Sequence, residues 1–350
     1  MNNTSEKLAK APLTKLMFSL SIPTIVAQLI NILYNIVDRM YIGRMPEVGA
    51  IALTGLGVCA PIITIVSSLS MLIGGGGAPL AAISLGAKDK NKAEKILGTS
   101  TFALLIMGLV VTALFLVFKD PLLITFGASE ASLPYASTYL EIYLYGTVFV
   151  QISLGLNSFI SSQGKTMIAM LTVLIGAVLN IIFDPILIYT FNMGVAGAAW
   201  ATIFSQFVSA IFVFGFLASK KSEIRIKKTF VKFNKRLLSS ICALGVSSFV
   251  MAATEAAIVV IFNRGLLKYG SDMHVGAMAI IQSVMMMIFM PVSGFKQGVL
   301  PIISYNYGAN NIKRVRETIK KTLAISWSFT AIFSLFVYIF PQVFASVFTT

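Results

Sequence analysis

Nine stretches of this chain run almost free of charge for about the 20 residues that a helix needs to cross the hydrocarbon of a bilayer. They are 15–38, 50–77, 96–118, 136–161, 167–190, 195–218, 238–262, 276–300 and 320–348. In lipid only a helix or a closed barrel satisfies its own backbone. Barrel strands would alternate apolar and polar residues over about ten positions, and these runs do not. Composition points the same way: 57% of the 350 residues are hydrophobic and 11% charged, against about 25% charged in soluble domains. Polar groups are too few to clothe a soluble core, and the chain is too apolar for disorder. The expected class is an all-α integral membrane protein. The first run is too long for a signal sequence and no small-residue cleavage site follows it, so it is read as an uncleaved first span.

Two function classes drop out early. Cys59 and Cys242 lie inside apolar runs and read as small buried hydrophobes, with neither a disulfide framework nor metal-ligand spacing. His274, the single histidine, falls in a predicted loop. A soluble metalloenzyme or histidine-dependent hydrolase is not expected. A membrane-embedded enzyme would need a nucleophile–base pair or metal ligands in the spans, and none is evident; the chain is read as a non-enzyme without cofactor or bound metal, save a coupling ion.

The net charge of +14 is a topology signal. With the N-terminus inside, the inner loops collect most of the 27 lysines and arginines: Lys7, Lys10 and Lys15, the cluster Lys88 to Lys95, Lys165, eight residues between Lys220 and Arg236, and Lys313 to Lys321. The outer loops hold Arg39, Arg44, Lys119, Arg264 and Lys268. This bias orients the chain with a cytoplasmic N-terminus in a plasma (inner) membrane. Spread over several loops, the charge makes no nucleic-acid footprint.

A shift of 222 places Gly76 on Gly298, Pro79 on Pro301, Gly86 on Gly308, Ala87 on Ala309 and Lys92 on Arg314. Both copies read as the end of a span, a Gly-Ala turn and a basic stretch, so the chain is read as duplicated. Residues 1–219 form a six-span lobe, 220–236 a basic cytoplasmic linker, and 237–350 three spans of a second lobe. Six spans return the chain to its starting side, so the copies run parallel. Completing the second would carry the chain to about 441 residues, and 350 reads as a C-terminal truncation.

Polar side chains in lipid-spanning helices mark interior faces or sites. Gln28, Asn31, Asn35 and Asp38, spaced 3, 4 and 3 apart, share one face of the first helix with Tyr34 beside them. For Gln28 and Asn35, interhelical hydrogen bonding is the competing use; Asp38 reads as functional. Pro23 is expected to kink this helix. Asn180 and Asp184 stand one turn apart with Pro185 after them. With no cation predicted on that helix, Asp184 can exchange a proton or bind Na⁺ among neighbouring oxygens. Thr202, Ser205, Gln206 and Ser209 on the next helix are candidates to supply those oxygens. Glu255 sits mid-span, with pairing to Lys296 as its structural alternative, and Glu141 lies near a span end. Gly74 to Gly77 lack the Lys-Ser/Thr of a phosphate loop and suit close helix packing or an elbow. Met285 to Met287 suit lipid-facing or core packing, with a cavity lining as the alternative.

Taken in order, Ser21-Ile22-Pro23 through Asp38-Arg39-Met40-Tyr41-Ile42-Gly43, Pro79 with Gly86-Ala87, Asn180 with Asp184-Pro185, Gly197 to Thr202, and Pro301 through Gly308-Ala309 resemble the MATE family of multidrug and toxic-compound extrusion transporters. The resemblance spans the chain over nine of that family's twelve helices, and is nearest to the bacterial drug-efflux branch. It implies two helical lobes about a central cavity and cation-coupled export by alternating access. It puts cation-coupling roles on Asp38, Asn180, Asp184 and Thr202, cavity positions on Asn31, Tyr34 and Asn157, and the seventh-helix acid on Glu255. The coupling ion would be H⁺ or Na⁺, held at Asp38 and Asp184 if it is Na⁺. Substrates would be cationic or amphiphilic small molecules; the expected surroundings are membrane lipids, and the expected state a monomer. A lipid-linked oligosaccharide flippase of the same superfamily is the alternative, but it should carry basic residues in its cavity, where these spans carry mainly acids.

Overall fold

The structure, a computed structural model, describes residues 4–269 and 272–342, with the side chains of Thr4 and of a scatter of residues between 252 and 283 outside the description. The chain folds as helices α1 (Thr4–Lys10), α2 (Leu13–Gly43), α3 (Gly49–Gly86), α4 (Lys90–Thr125), α5 (Leu133–Tyr145), α6 (Thr147–Ser162), α7 (Thr166–Pro185), α8 (Gly194–Ala218), α9 (Lys235–Tyr269), α10 (Asp272–Gly308) and α11 (Ile312–Ile339). No strand occurs among the described residues. Among the described residues, seven helices are long and apolar enough to span a membrane, or up to eight if α5 and α6 together make one. α9 covers the seventh expected span, 238–262, and many of its side chains lie outside the description.

Three expectations need correction. The run 136–161 is not one helix: α5 and α6 meet at Gly146 with a bend of 58°, a break that composition hides because both arms are equally apolar. The last span begins at Ile312, not 320. Its basic first turns are an amphipathic helix capped by Asn311, whose side chain accepts from the Arg314 N–H at 3.2 Å, with Val315 and Thr318 buried. His274 lies within α10, not in a loop. Pro23 and Pro79 sit inside continuous α2 and α3.

The packing is that of a chain solvated by lipid. α4 turns Leu109, Val110, Leu114 and Val117 outward, while Thr99, Ser100 and Thr101 are buried. Lipid tails are as apolar as these side chains, so close approach and hydrogen bonding must hold the helices together. A Cβ on Gly76 would lie 2.0 Å from the carbonyl oxygen of Ile241 on α9, and one on Gly245 would lie 1.8 Å from that of Leu72 on α3. The run Gly74 to Gly77 is therefore a helix-packing surface, not an elbow.

The 222-residue shift reappears in the backbone. Asp89 caps α4 by accepting from the Lys92 N–H at 2.9 Å, as Asn311 caps α11. Lys88 and Asn310, one residue earlier, both take a left-handed backbone, with φ of 61° and 60°. The amides of Asp89 and Asn311 bond to Ser84 and Asn306 carbonyls, each at 2.9 Å. The two copies also clasp each other reciprocally. A Cβ on Gly86 would meet the Tyr305 carbonyl oxygen at 1.9 Å, and a Cβ on Gly308 would meet that of Ile83 at 1.9 Å. Each contact is the other displaced by the shift.

The basic linker is pinned rather than loose. Gln163, at the end of α6, accepts from Ser222 Oγ at 3.0 Å and from the Glu223 N–H at 2.8 Å. Ser5 on α1 donates to Glu223 at 2.6 Å. Beyond α1, Asn306 donates to the Leu8 carbonyl at 3.0 Å and Arg314 to that of Ala11 at 2.6 Å. α1 thus ties the linker to the α10–α11 turn.

Adding a side chain at the reciprocal clasp should force the helices apart. Gly86→Val should lower stability in detergent by more than about 2 kcal/mol, the range of overpacking against an unyielding neighbour. Gly57→Ala, where a Cβ meets nothing within 4 Å, should change it by less than about 0.5 kcal/mol. Equal thermal unfolding midpoints for the two variants would refute the clasp.

Candidate functional site

Asp38 lies near the end of α2 and Asp184 near the end of α7, and both are buried, Asp184 completely. These two helices pack along each other, and their carboxyl groups face one another within hydrogen-bonding reach. Asn180, one turn before Asp184, donates Nδ2 to Asp184 Oδ1 at 3.2 Å and lies 3.4 Å from Thr202 Oγ1 on α8. The four side chains singled out in the sequence for cation coupling therefore come from three helices to one buried cluster.

Backbone geometry shapes the cluster. Directly after Asp184-Pro185 the chain widens into a π-helical turn, Ile186–Thr190. Such turns leave carbonyls out of the regular ladder and recur at functional sites. Tyr189, inside that turn, donates its hydroxyl to the Tyr41 carbonyl at 2.6 Å, fastening the end of α7 to the end of α2.

Asp38 Oδ1, Asp184 Oδ2 and Asn180 Oδ1 are buried with no hydrogen-bond partner. No ion pair reaches either carboxylate among the described residues; Arg39, next in the chain, acts on Asp38 through its field alone. Two buried carboxylates facing each other repel strongly when both are ionised, because the low local dielectric leaves the repulsion poorly screened. A proton or a small cation between them removes that repulsion and occupies the orphaned oxygens. The donors are all hard oxygens, which suit H⁺ or Na⁺ and not a soft metal. No cluster of three or more His, Cys, Asp or Glu that could hold a metal occurs among the described residues.

Tyr139 was not apparent from the sequence. It is buried on α5, beside Thr202 and near enough to Asp38 to feel its charge. It also stacks on Tyr143, with ring centroids 6.4 Å apart and planes within 12°. The available signal was Tyr135, Tyr139 and Tyr143 at every fourth position, one helical face.

The remaining predicted residues separate. Tyr34 stands one turn before Asp38, half-buried, and close enough to Tyr143 to interact electrostatically. Asn31 is a further turn away and exposed; its carbonyl accepts from Asn35 Nδ2 at 2.6 Å. Gln28 bonds Gln297 on α10 at 3.3 Å, the interhelical use. Asn157 donates to the Ala169 carbonyl at 3.2 Å, which lies roughly 16 Å along α7 from Asn180 at 1.5 Å rise per residue, so it is not part of the cluster. Of the α8 oxygens only Thr202 reaches it: Ser205 is spent on the Ala201 carbonyl, Gln206 accepts from Ser153 and Ser209 donates to the Thr172 carbonyl. Glu255 lies on the α9 backbone, but its side chain is outside the described residues, as is any pairing with Lys296.

Comparison with known proteins places this geometry. The MatE family model matches residues 23–186 and 243–350. The multidrug export protein MepA of Staphylococcus aureus strain MSSA476 is 29% identical over 317 residues, covering 90% of this chain and 69% of its own. MepA of Staphylococcus haemolyticus strain JCSC1435 is 29% identical over 309 residues, covering 87% and 67%. Crystal structures of MATE in the straight and the bent conformation superpose on the whole chain and on 77% of theirs, with TM-scores of 0.90 and 0.91 and identities of 26% and 25%. With its long apolar helices, this is a multi-pass membrane protein. The chain belongs to the MatE family, a family of transporters and not of enzymes.

Proposed function

We propose that this chain is a multidrug exporter in which H⁺ or Na⁺ entering the Asp38–Asp184 cluster drives cationic or amphiphilic compounds out of the cell by alternating access. The observation that carries the reading is the pair of buried, facing carboxylates with orphaned oxygens and no protein cation between them. The names of the similar proteins support the substrate class. In this reading the chain lies in the plasma membrane with its N-terminus in the cytoplasm. Residues 1–219 form one lobe, 220–236 the linker and 237–350 part of a second lobe.

The physics of coupling is mutual exclusion. A buried pair of carboxylates holds one positive charge well and two poorly, so an incoming coupling ion weakens the attraction for a cationic substrate. The geometry also supplies a way to convey occupancy. α2 carries Asp38 against α7, and two turns of its other half are bonded to α10: Ser21 Oγ donates to the Phe295 carbonyl at 3.0 Å and Thr24 Oγ1 to that of Gly294 at 2.6 Å. A change of charge at Asp38 thus acts on a helix already fastened to the second copy. Pro23, between these two anchors, leaves one backbone carbonyl of α2 without its usual donor, a place where the helix can flex.

Dye efflux from proteoliposomes under separate Na⁺ and pH gradients tests the proposal. Asp184→Asn should reduce gradient-driven efflux at least about tenfold, the loss expected when a buried group that changes charge in the cycle no longer can. Ser205→Ala, whose hydroxyl serves only its own helix, should keep most of the rate. Efflux by Asp184→Asn at the unmodified rate under either gradient would exclude the cluster as the coupling site.

Tyr139→Phe probes the neighbouring hydroxyl. Removing the hydroxyl beside Thr202, at about 1 kcal/mol for one polar contact, should raise the ion concentration needed for half-maximal efflux by roughly fivefold and leave the maximal rate little changed. An unaltered ion dependence would detach Tyr139 from the cluster.

A further inference from the structure

At the end of the bundle where the basic residues gather, and well apart from the Asp38–Asp184 cluster, a cavity of about 320 Å³ opens between the start of α4 and the start of α9. Asp89, Lys92, Lys95, Asn234, Arg236 and Leu237 line it. Three cations face one acid. Neither Lys92 nor Arg236 has a side-chain hydrogen bond or ion pair among the described residues, and Lys95 has only the ring of Phe230, 5.8 Å from its Nζ. The nearby Glu94 does not offset them, being buried and paired with Lys227 at 2.5 Å.

Two helix N-termini converge on the same cavity. Asp89 caps α4, and Asn234 caps α9 by accepting from the Leu237 N–H at 3.1 Å. Each helix end presents a partial positive charge and amide donors that favour an anion. Next to the cavity in the chain, preceding Asn234, Phe233 is 61% exposed and packs edge-on against Phe102 of α4, with ring centroids 6.5 Å apart. An exposed phenyl ring beside a cationic pocket at the end of membrane-spanning helices suits a ligand with an anionic head and an apolar body.

The geometry points to a phosphate-binding site in this cavity that takes the head group of an anionic membrane phospholipid, with Lys92, Lys95 and Arg236 on the phosphate and Phe233 and Leu237 against the glycerol and upper chains. Basic pockets between membrane helices recognise such heads in this way. Here the site bridges the α3–α4 turn of the first copy and the first helix of the second, so an occupant would join the two.

The test uses the purified, delipidated chain in neutral detergent. Phosphatidylglycerol, phosphatidylcholine and inorganic phosphate are each titrated in, with thermal unfolding and native mass spectrometry as readouts. Phosphatidylglycerol should raise the unfolding midpoint and leave retained one-lipid adducts, whereas the other two should not. The variant Lys92→Gln/Lys95→Gln/Arg236→Gln should weaken that binding by at least about tenfold, given the attraction each cation contributes near an anionic head. Lys313→Gln/Arg316→Gln/Lys320→Gln, which removes the same charge from exposed positions of α11, should change it less than about twofold on the same grounds. Asp89→Asn keeps the cap while removing the one opposing charge, and should tighten binding. Equal weakening by the two triple variants would reduce the effect to general surface charge and overturn the site. Equal binding of phosphatidylcholine would do the same, and a midpoint raised by inorganic phosphate with no gain from phosphatidylglycerol would overturn the lipid assignment.

Discussion

Backbone-to-backbone approach of helices is the constraint on which the rest of this structure depends. In lipid, helices gain little from burying one apolar face against another, so contact distance and hydrogen bonding decide which faces meet. The chain meets that constraint with glycines whose missing side chains admit a neighbouring carbonyl, as at Gly76, Gly86, Gly245 and Gly308. It adds hydroxyls that donate across a seam, as from Ser21 and Thr24 to α10. With these contacts fixed, α2 stands between α7 and α10, and Asp38 is brought to Asp184.

The same constraint explains what duplication has kept. The Gly-Ala turn, the left-handed residue after it, the capping side chain and the glycine clasp all recur 222 residues apart. These are positions where backbone geometry leaves little choice. The polar face of α2 does not recur: the shift carries Asn31, Tyr34 and Asp38 onto Ala253, Ala256 and Val260. Over the stretches compared, the packing contacts recur between the copies and the polar face around Asp38 does not.

Much of this was legible in the chain itself. The long helices were, because an apolar run of spanning length has few alternatives in a bilayer. Asp38, Asn180 and Asp184 were, because each is costly in lipid unless it has a use. Gly146 was not: a helix break inside a uniformly apolar run leaves no compositional trace. The start of α11 was missed because an amphipathic basic helix and a basic loop have the same composition. By residue type alone Thr202 could not be told from Ser205, Gln206 and Ser209, which share its face; the family resemblance singled it out, and the fold shows that the other three are engaged elsewhere. Tyr139 escaped because tyrosine counts among the apolar residues of a spanning run.

The position of the charge within the cluster limits what can follow from its neutralisation. Asp184 is held from several sides: by Asn180 one turn below, by the π-turn that follows it, and through that turn by Tyr189 bonded to α2. Asp38 shares that last tie, since Tyr41, which accepts from Tyr189, follows it by less than one turn of α2, and each carboxyl keeps one unpartnered oxygen. Neither side of the pair is free to move alone. The first half of α2 is bonded to α10 through Ser21 and Thr24, so α2 is held to α7 at one end and to α10 at the other, with Pro23 between the two anchors on the α10 side. Under the proposed coupling, any shift of α2 that Pro23 does not absorb reaches α10.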